Sequence, residues 1–139
     1  MHDSTGKPVS TTAAQVMTRC AEDSYAGTAS FGEIVGRLVA LGAESYHADY
    51  RLPATTYYMP DGGTHTLALQ VPEVSIPSAF DAAALQAVIR GAQRGEVKYP
   101  EFLQRSMAAG CIGYIVWIAG RHVAYFGRRG EVHIEPFPS

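Results

Sequence analysis

Charge is what this chain has least of. Only 17% of its 139 residues are Asp, Glu, Lys or Arg, against about 25% in an average soluble domain. The 11 basic and 13 acidic side chains leave a net charge of -2. Domains that hold polyanions are usually strongly basic, so this balance argues against a nucleic-acid binder. Cysteine is scarce too: Cys20 and Cys111 stand far apart with no CxxC spacing. That excludes a secreted disulfide framework and points to a cytoplasmic chain with free thiols. No long apolar run exists. The longest uncharged stretch, Ser106 to Gly120, has 15 residues including three glycines, short of the ~20 a membrane helix needs. Met1 to Ser10 has no apolar core, so no signal peptide is readable. Glycine-rich phosphate loops and HExxH-type metal motifs are missing, and Asp61-Gly62-Gly63 reads as a hairpin turn. The chain is therefore expected to be soluble, with no membrane partner, no cofactor, no metal and no assigned catalytic residue.

What is present is a core. Hydrophobic residues make up 47% of the chain, and the length suits one domain that buries about two thirds of its unfolded surface. So few charges leave much of the surface apolar or neutral, which points to a self-association face. Residues 1–9 read as a flexible N-terminus and 10–139 as one α+β domain.

That domain contains an internal likeness. At an offset of 68, 11 of the 62 positions from Ser10 to Val71 are identical, among them Gly27/Gly95, Gly42/Gly110, Tyr46/Tyr114, Tyr57/Tyr125 and His65/His133. About four identities are expected by chance from average composition. Two tandem pseudo-repeats, 10–72 and 78–139, are the reading; convergent helix-helix-strand patterning is the alternative. Each half predicts two helices and a strand meander, giving a mostly antiparallel sheet covered by about four helices.

In the first half a helix spans about Thr12 to Ser24, with a Thr12/Gln15 capping box. A second starts at Ser30 with Glu33 completing the box and Gly42 closing it. In the second half Ser78 is expected to cap a helix carrying Phe80, Leu85, Val88 and Ile89, and Pro100 to open the next at its first position. Tyr46, Ala48, Tyr50 and Leu52 alternate with His47, Asp49 and Arg51, so the first long strand has one apolar face. The matching strand, Ile112 to Ala119, has Ile115 and Trp117 where the other has polar groups. It is apolar on both faces, so either it is covered twice or Ile115 and Trp117 form an interface.

Candidate chemistry is sparse. His65 and His133 hold equivalent positions, and a pseudo-two-fold axis could bring them together with Glu135. Without close ligand spacing, ordinary strand histidines are the plainer expectation. His47, Asp49 and Tyr50 resemble acid-base parts, but alternation alone puts His47 and Asp49 side by side on a polar face. Cys111 lies at a helix C-terminal end, the wrong end to activate a thiolate, and Cys20 belongs to the core. Arg121, His122, Arg128 and Arg129 cluster on one hairpin, interrupted by Glu131 and Glu135, which makes nucleic-acid contact weak.

Gln93-Arg94-Gly95-Glu96-Val97-Lys98-Tyr99-Pro100-Glu101-Phe102, Ala109-Gly110, Tyr114-Ile115-Val116, Tyr125-Phe126, Gly130 and Glu135-Pro136-Phe137-Pro138 resemble the YdfO-like family. The first half fits through Phe31, Gly42 to Tyr46, Tyr57-Tyr58 and Gly62. These are small bacterial and prophage proteins of unknown function, some labelled phage envelope protein. Where members often carry acidic residues in and after the second-half strands, this chain has Trp117 and Gly127. The resemblance implies no activity or cofactor. The leading expectation is a non-enzymatic, prophage-associated protein that self-associates, as a dimer or with another protein partner. The alternative is a small-molecule binder or enzyme with a pocket between the repeats, lined by Tyr46, Tyr114, His65 and His133.

Overall fold

Residues 7–138 are those the computed structural model describes. In chain order the elements are β1 (Lys7–Pro8), α1 (Thr11–Ala26), α2 (Phe31–Leu41), β2 (Ser45–Asp49), β3 (Ala54–Tyr58), β4 (Gly63–Ala68), α3 (Ala82–Gln93), α4 (Tyr99–Ala108), β5 (Cys111–Trp117), β6 (His122–Gly127) and β7 (Val132–Pro136). The α+β class read from the sequence is the class observed. Lys7–Pro8, assigned to the N-terminal tail, instead adds a short parallel strand beside β4.

Caps explain where the helices begin. Ser30 and Glu33 form the expected reciprocal box at the start of α2. Two other caps differ from expectation. Ser10, not Thr12, caps α1, its hydroxyl accepting from the Ala13 N–H at 3.1 Å. Asp81, not Ser78, caps α3, accepting from the Ala84 N–H at 3.0 Å. The Ser78–Phe80 stretch is held out of the helix because Asp81 N–H donates to the Ala109 carbonyl at 2.8 Å, tying it to the end of α4. Pro100 stands one position inside α4, after Tyr99. Leu52 is not on a strand face at all. The Asp49 carboxylate accepts from the Arg51 and Leu52 N–H groups, turns the chain, and leaves Leu52 74% exposed.

The sheet order is β1-β4-β3-β2-β5-β6-β7. Every pair except β1 with β4 is antiparallel. At its centre His47 faces Ile115, with Ser45 opposite Trp117 and Asp49 opposite Gly113. One face carries Tyr46, Ala48, Tyr57, Tyr114, Val116 and Tyr125, which pack under the helices against Leu38, Leu85, Val88 and Leu103. Each fully buried Leu contributes about 2 kcal/mol relative to exposure. The opposite face carries no helix: Trp117 is 38% exposed, Val132 and Ile134 50% each. β5 is thus central in the sheet but covered on one side only. Helix α1 packs on α2, α3 on α4, and α1 also meets α4, while α2 and α3 make no comparable contact.

Candidate functional site: a tyrosine-floored cleft

The gap between α2 and α3 is a cleft of about 900 Å³. Gly32 and Gly36 on α2, and Ala92 on α3, face it. A Cβ on Gly36 would meet nothing within 4 Å, so the space beside α2 is open there. Strands β2, β5 and β6 supply the floor through Tyr46, Tyr114, Val116, Val123 and Tyr125. Ile34, Val35, Ile89 and Phe102 make the apolar walls. Phe31 and Phe137 meet edge to face at one end, centroids 5.5 Å apart, and the Arg121 guanidinium lies 5.6 Å from the Phe137 centroid.

The floor belongs to a larger aromatic cluster. Tyr46 contacts Tyr57 and Tyr114, and Tyr114 contacts Tyr50, Phe102 and Tyr125. Three phenols are matched: Tyr99 with Tyr114 at 2.8 Å, and Tyr50 with Ser106 at 3.1 Å. Burial pushes Tyr46, Tyr50, Tyr114 and Tyr125 well above the ordinary phenol value and Tyr99 up to about 12, so all stay protonated at physiological pH.

One wall is charged yet internally neutralised. Glu135 is buried, and its two carboxylate oxygens meet Arg90 of α3 and, at 3.3 Å, Nε2 of His133. Glu33, also on the cleft, accepts the Ser30 N–H at 3.0 Å. Lys98 lies at the rim, its stem against Gly27.

The sequence-derived candidates divide accordingly. Tyr46 and Tyr114 are together on the cleft floor. His65 and His133 are not brought together: they lie on β4 and β7, five strand steps apart in the sheet. That is roughly 24 Å at the usual interstrand spacing. His65 Nε2 instead pairs with the Thr18 hydroxyl at 3.3 Å. Ile115 and Trp117 are on the uncovered sheet face. Cys20 and Cys111 are fully buried free thiols, and burial pushes Cys111 up to about 11. Arg128 donates to the Ile76 carbonyl. Among the described residues no cluster of three His, Cys, Asp or Glu side chains could hold a metal, and no helix is long and apolar enough to cross a membrane.

Sequence reasoning missed Phe31, Lys98 and Phe137 as parts of one site, and Arg90 as the ion-pair partner of Glu135. The available signal was the Gly32/Gly36 pair, one helical turn apart on a helix otherwise rich in large aliphatics. A second, smaller cavity of about 500 Å³ lies between α1 and the β3–β4 side of the sheet and reaches Tyr99. It shares Tyr46 and Tyr114 with the first and has Tyr57 and Leu67 where the first has Tyr125 and Glu135, each 68 residues on.

Residues 22–136 match the family described as a protein of unknown function, DUF1398. The match covers well over half of the chain, and the chain belongs to that family. Uncharacterized protein Rv2012 of Mycobacterium tuberculosis (strain H37Rv) is 32% identical over 59 residues, 42% of this chain and 36% of the relative. Uncharacterized protein Mb2035 of Mycobacterium bovis matches to the same extent. The aligned part thus spans about a third of those relatives' length.

Proposed function

We propose that this protein binds a small, largely apolar molecule in the cleft between α2 and α3. The observation that carries the reading is a concavity of about 900 Å³ with an aromatic floor, aliphatic walls and a few polar groups at its rim. That is the size and lining of small-molecule sites, about 300–1,000 Å³. The test is a titration with Nile red, a neutral solvatochromic dye. The expected result is saturable, blue-shifted emission at one dye per chain. It should be lost in Ala92→Trp, which fills the cleft from an exposed position of α3, with the melting temperature retained. Dye binding unchanged in that variant would contradict the reading.

A second reading, self-association with another copy of this chain, is favoured by the uncovered sheet face. Across β5, β6 and β7 that face is built of Gly113, Ile115, Trp117, His122, Ala124, Phe126, Val132, Ile134 and Pro136. It contains no Asp, Glu, Lys or Arg, so placing the patch against itself buries no unpaired charge. Light scattering should give a dimer that Trp117→Lys converts to monomer; a monomer at high micromolar concentration would remove this reading. The prophage setting implied by the YdfO-like resemblance belongs with it. So does a duplicated origin of residues 10–72 and 78–139, supported by matching helix-helix-strand-strand-strand orders.

A further inference from the structure

Resting on the cleft reading, we infer that the ligand is an uncharged, planar aromatic molecule bearing a carbonyl oxygen, held by O–H donation from Tyr46 and Tyr125. Tyr46 is 6% exposed and Tyr125 7%, so both rings are more than nine-tenths buried. Their hydroxyls nevertheless have no hydrogen-bond partner among the described residues, whereas those of Tyr50, Tyr99 and Tyr114 do. No side-chain polar atom there is both fully buried and unpartnered. The two phenol oxygens therefore open into free space, and both residues line the α2–α3 cleft, Tyr46 at its boundary with the smaller cavity, which it also lines. Hydroxyls open to the cleft pair with water there, and a ligand that displaces that water must supply an acceptor or leave them unpaired. Burial keeps both phenols protonated, so each has an O–H to donate, and an acceptor oxygen on the ligand answers it.

Charge narrows the class. A cation entering the cleft finds no free carboxylate. Glu135 is taken by Arg90 and His133, and Glu33 by the N-cap of α2. An anion would leave its hydration for a floor of protonated phenols and aliphatic side chains, because the cations of the lining, Lys98 and Arg121, are exposed at its edge rather than on that floor. A neutral ligand avoids both penalties. Flatness follows from the rings of Tyr46, Tyr114, Tyr125 and Phe102, which offer faces and edges to an aromatic guest.

The experiment compares 9-fluorenone with fluorene, which has the same tricyclic frame but a CH2 in place of the carbonyl. Both are titrated into the whole chain and into Tyr46→Phe/Tyr125→Phe, with circular dichroism confirming that the variant is folded. The wild-type protein should prefer fluorenone by roughly tenfold, the worth of a buried hydrogen bond. The double variant should bind both alike, with fluorene affinity unchanged. Equal binding of the two by the wild type, or a preference surviving in the double variant, overturns the ligand class but leaves an occupied cleft. Binding of neither compound overturns the inference and the cleft reading together.

Discussion

At Gly110 the backbone has φ +95°, and a Cβ would stand 2.2 Å from the Ala79 carbonyl oxygen. Both the left-handed conformation and the close approach require glycine where α4 hands over to β5. At Gly62 φ is +90° but a Cβ would meet nothing within 4 Å. Gly110→Ala should therefore cost about 3 kcal/mol or more, the strain plus the clash, and Gly62→Ala only about 1 kcal/mol. Urea unfolding of the two variants measures the difference, and equal losses would refute it. The buried tyrosines make a second prediction at this scale. A phenol whose folded value lies above its unfolded value near 10 gives stability that is complete below pH 10. That stability is lost as the pH rises toward the folded value. Tyr46, Tyr50, Tyr57, Tyr99, Tyr114 and Tyr125 are all raised, chiefly by burial. Absorbance at 295 nm should show these six ionising only with alkaline unfolding, above pH 11, and stability should fall from pH 10 upward. Smooth ionisation of all eight tyrosines near pH 10 in a folded chain would contradict the packing.

Helices and strands were legible where local chemistry decides them. Ser30 with Glu33 and Gly42 bracket α2, and alternation in Ser45–Asp49 put Tyr46 and Ala48 on the buried face. Readings failed where tertiary contact overrides a local signal. Thr12 was an acceptable cap, but Ser10 two residues earlier took the role. Ser78 was equally acceptable, but the Asp81–Ala109 hydrogen bond fixed the chain past it. The contrast is testable: Ser30→Ala should cost about 1 kcal/mol and Thr12→Ala only a few tenths, by thermal or urea unfolding. A large loss at Thr12 would restore the Thr12/Gln15 box. The site was half legible. Tyr46 and Tyr114 could be paired from the offset of 68, but the pocket could not be drawn. It depends on α2 and α3 standing apart, and single-sequence patterning says which face of a helix is apolar, not which neighbour it meets. The histidines failed for a topological reason. Equivalent positions on the last strand of each half fall at opposite ends of a sheet whose halves join at β2 and β5.

For the whole molecule, the low charge content is distributed over two surfaces with different consequences. One is the uncovered sheet face around Trp117, Val132 and Ile134. The other is the interior of the cleft, floored by protonated phenols and walled by apolar side chains. The arrangement of helices also breaks symmetry between the halves: α1 closes on α4, while α2 and α3 leave the larger opening. Glu135, paired with Arg90, lines the larger opening where the smaller cavity has Leu67. The most direct test of the central claim is a ¹H–¹⁵N chemical-shift map of the protein titrated with 9-fluorenone. Saturable shifts should concentrate at the α1–α2 and α3–α4 turns and at Tyr46, Tyr114, Tyr125 and Phe137, leaving Val132 and Ile134 unmoved. Shifts confined to the open sheet face, or none at saturating ligand, would contradict it.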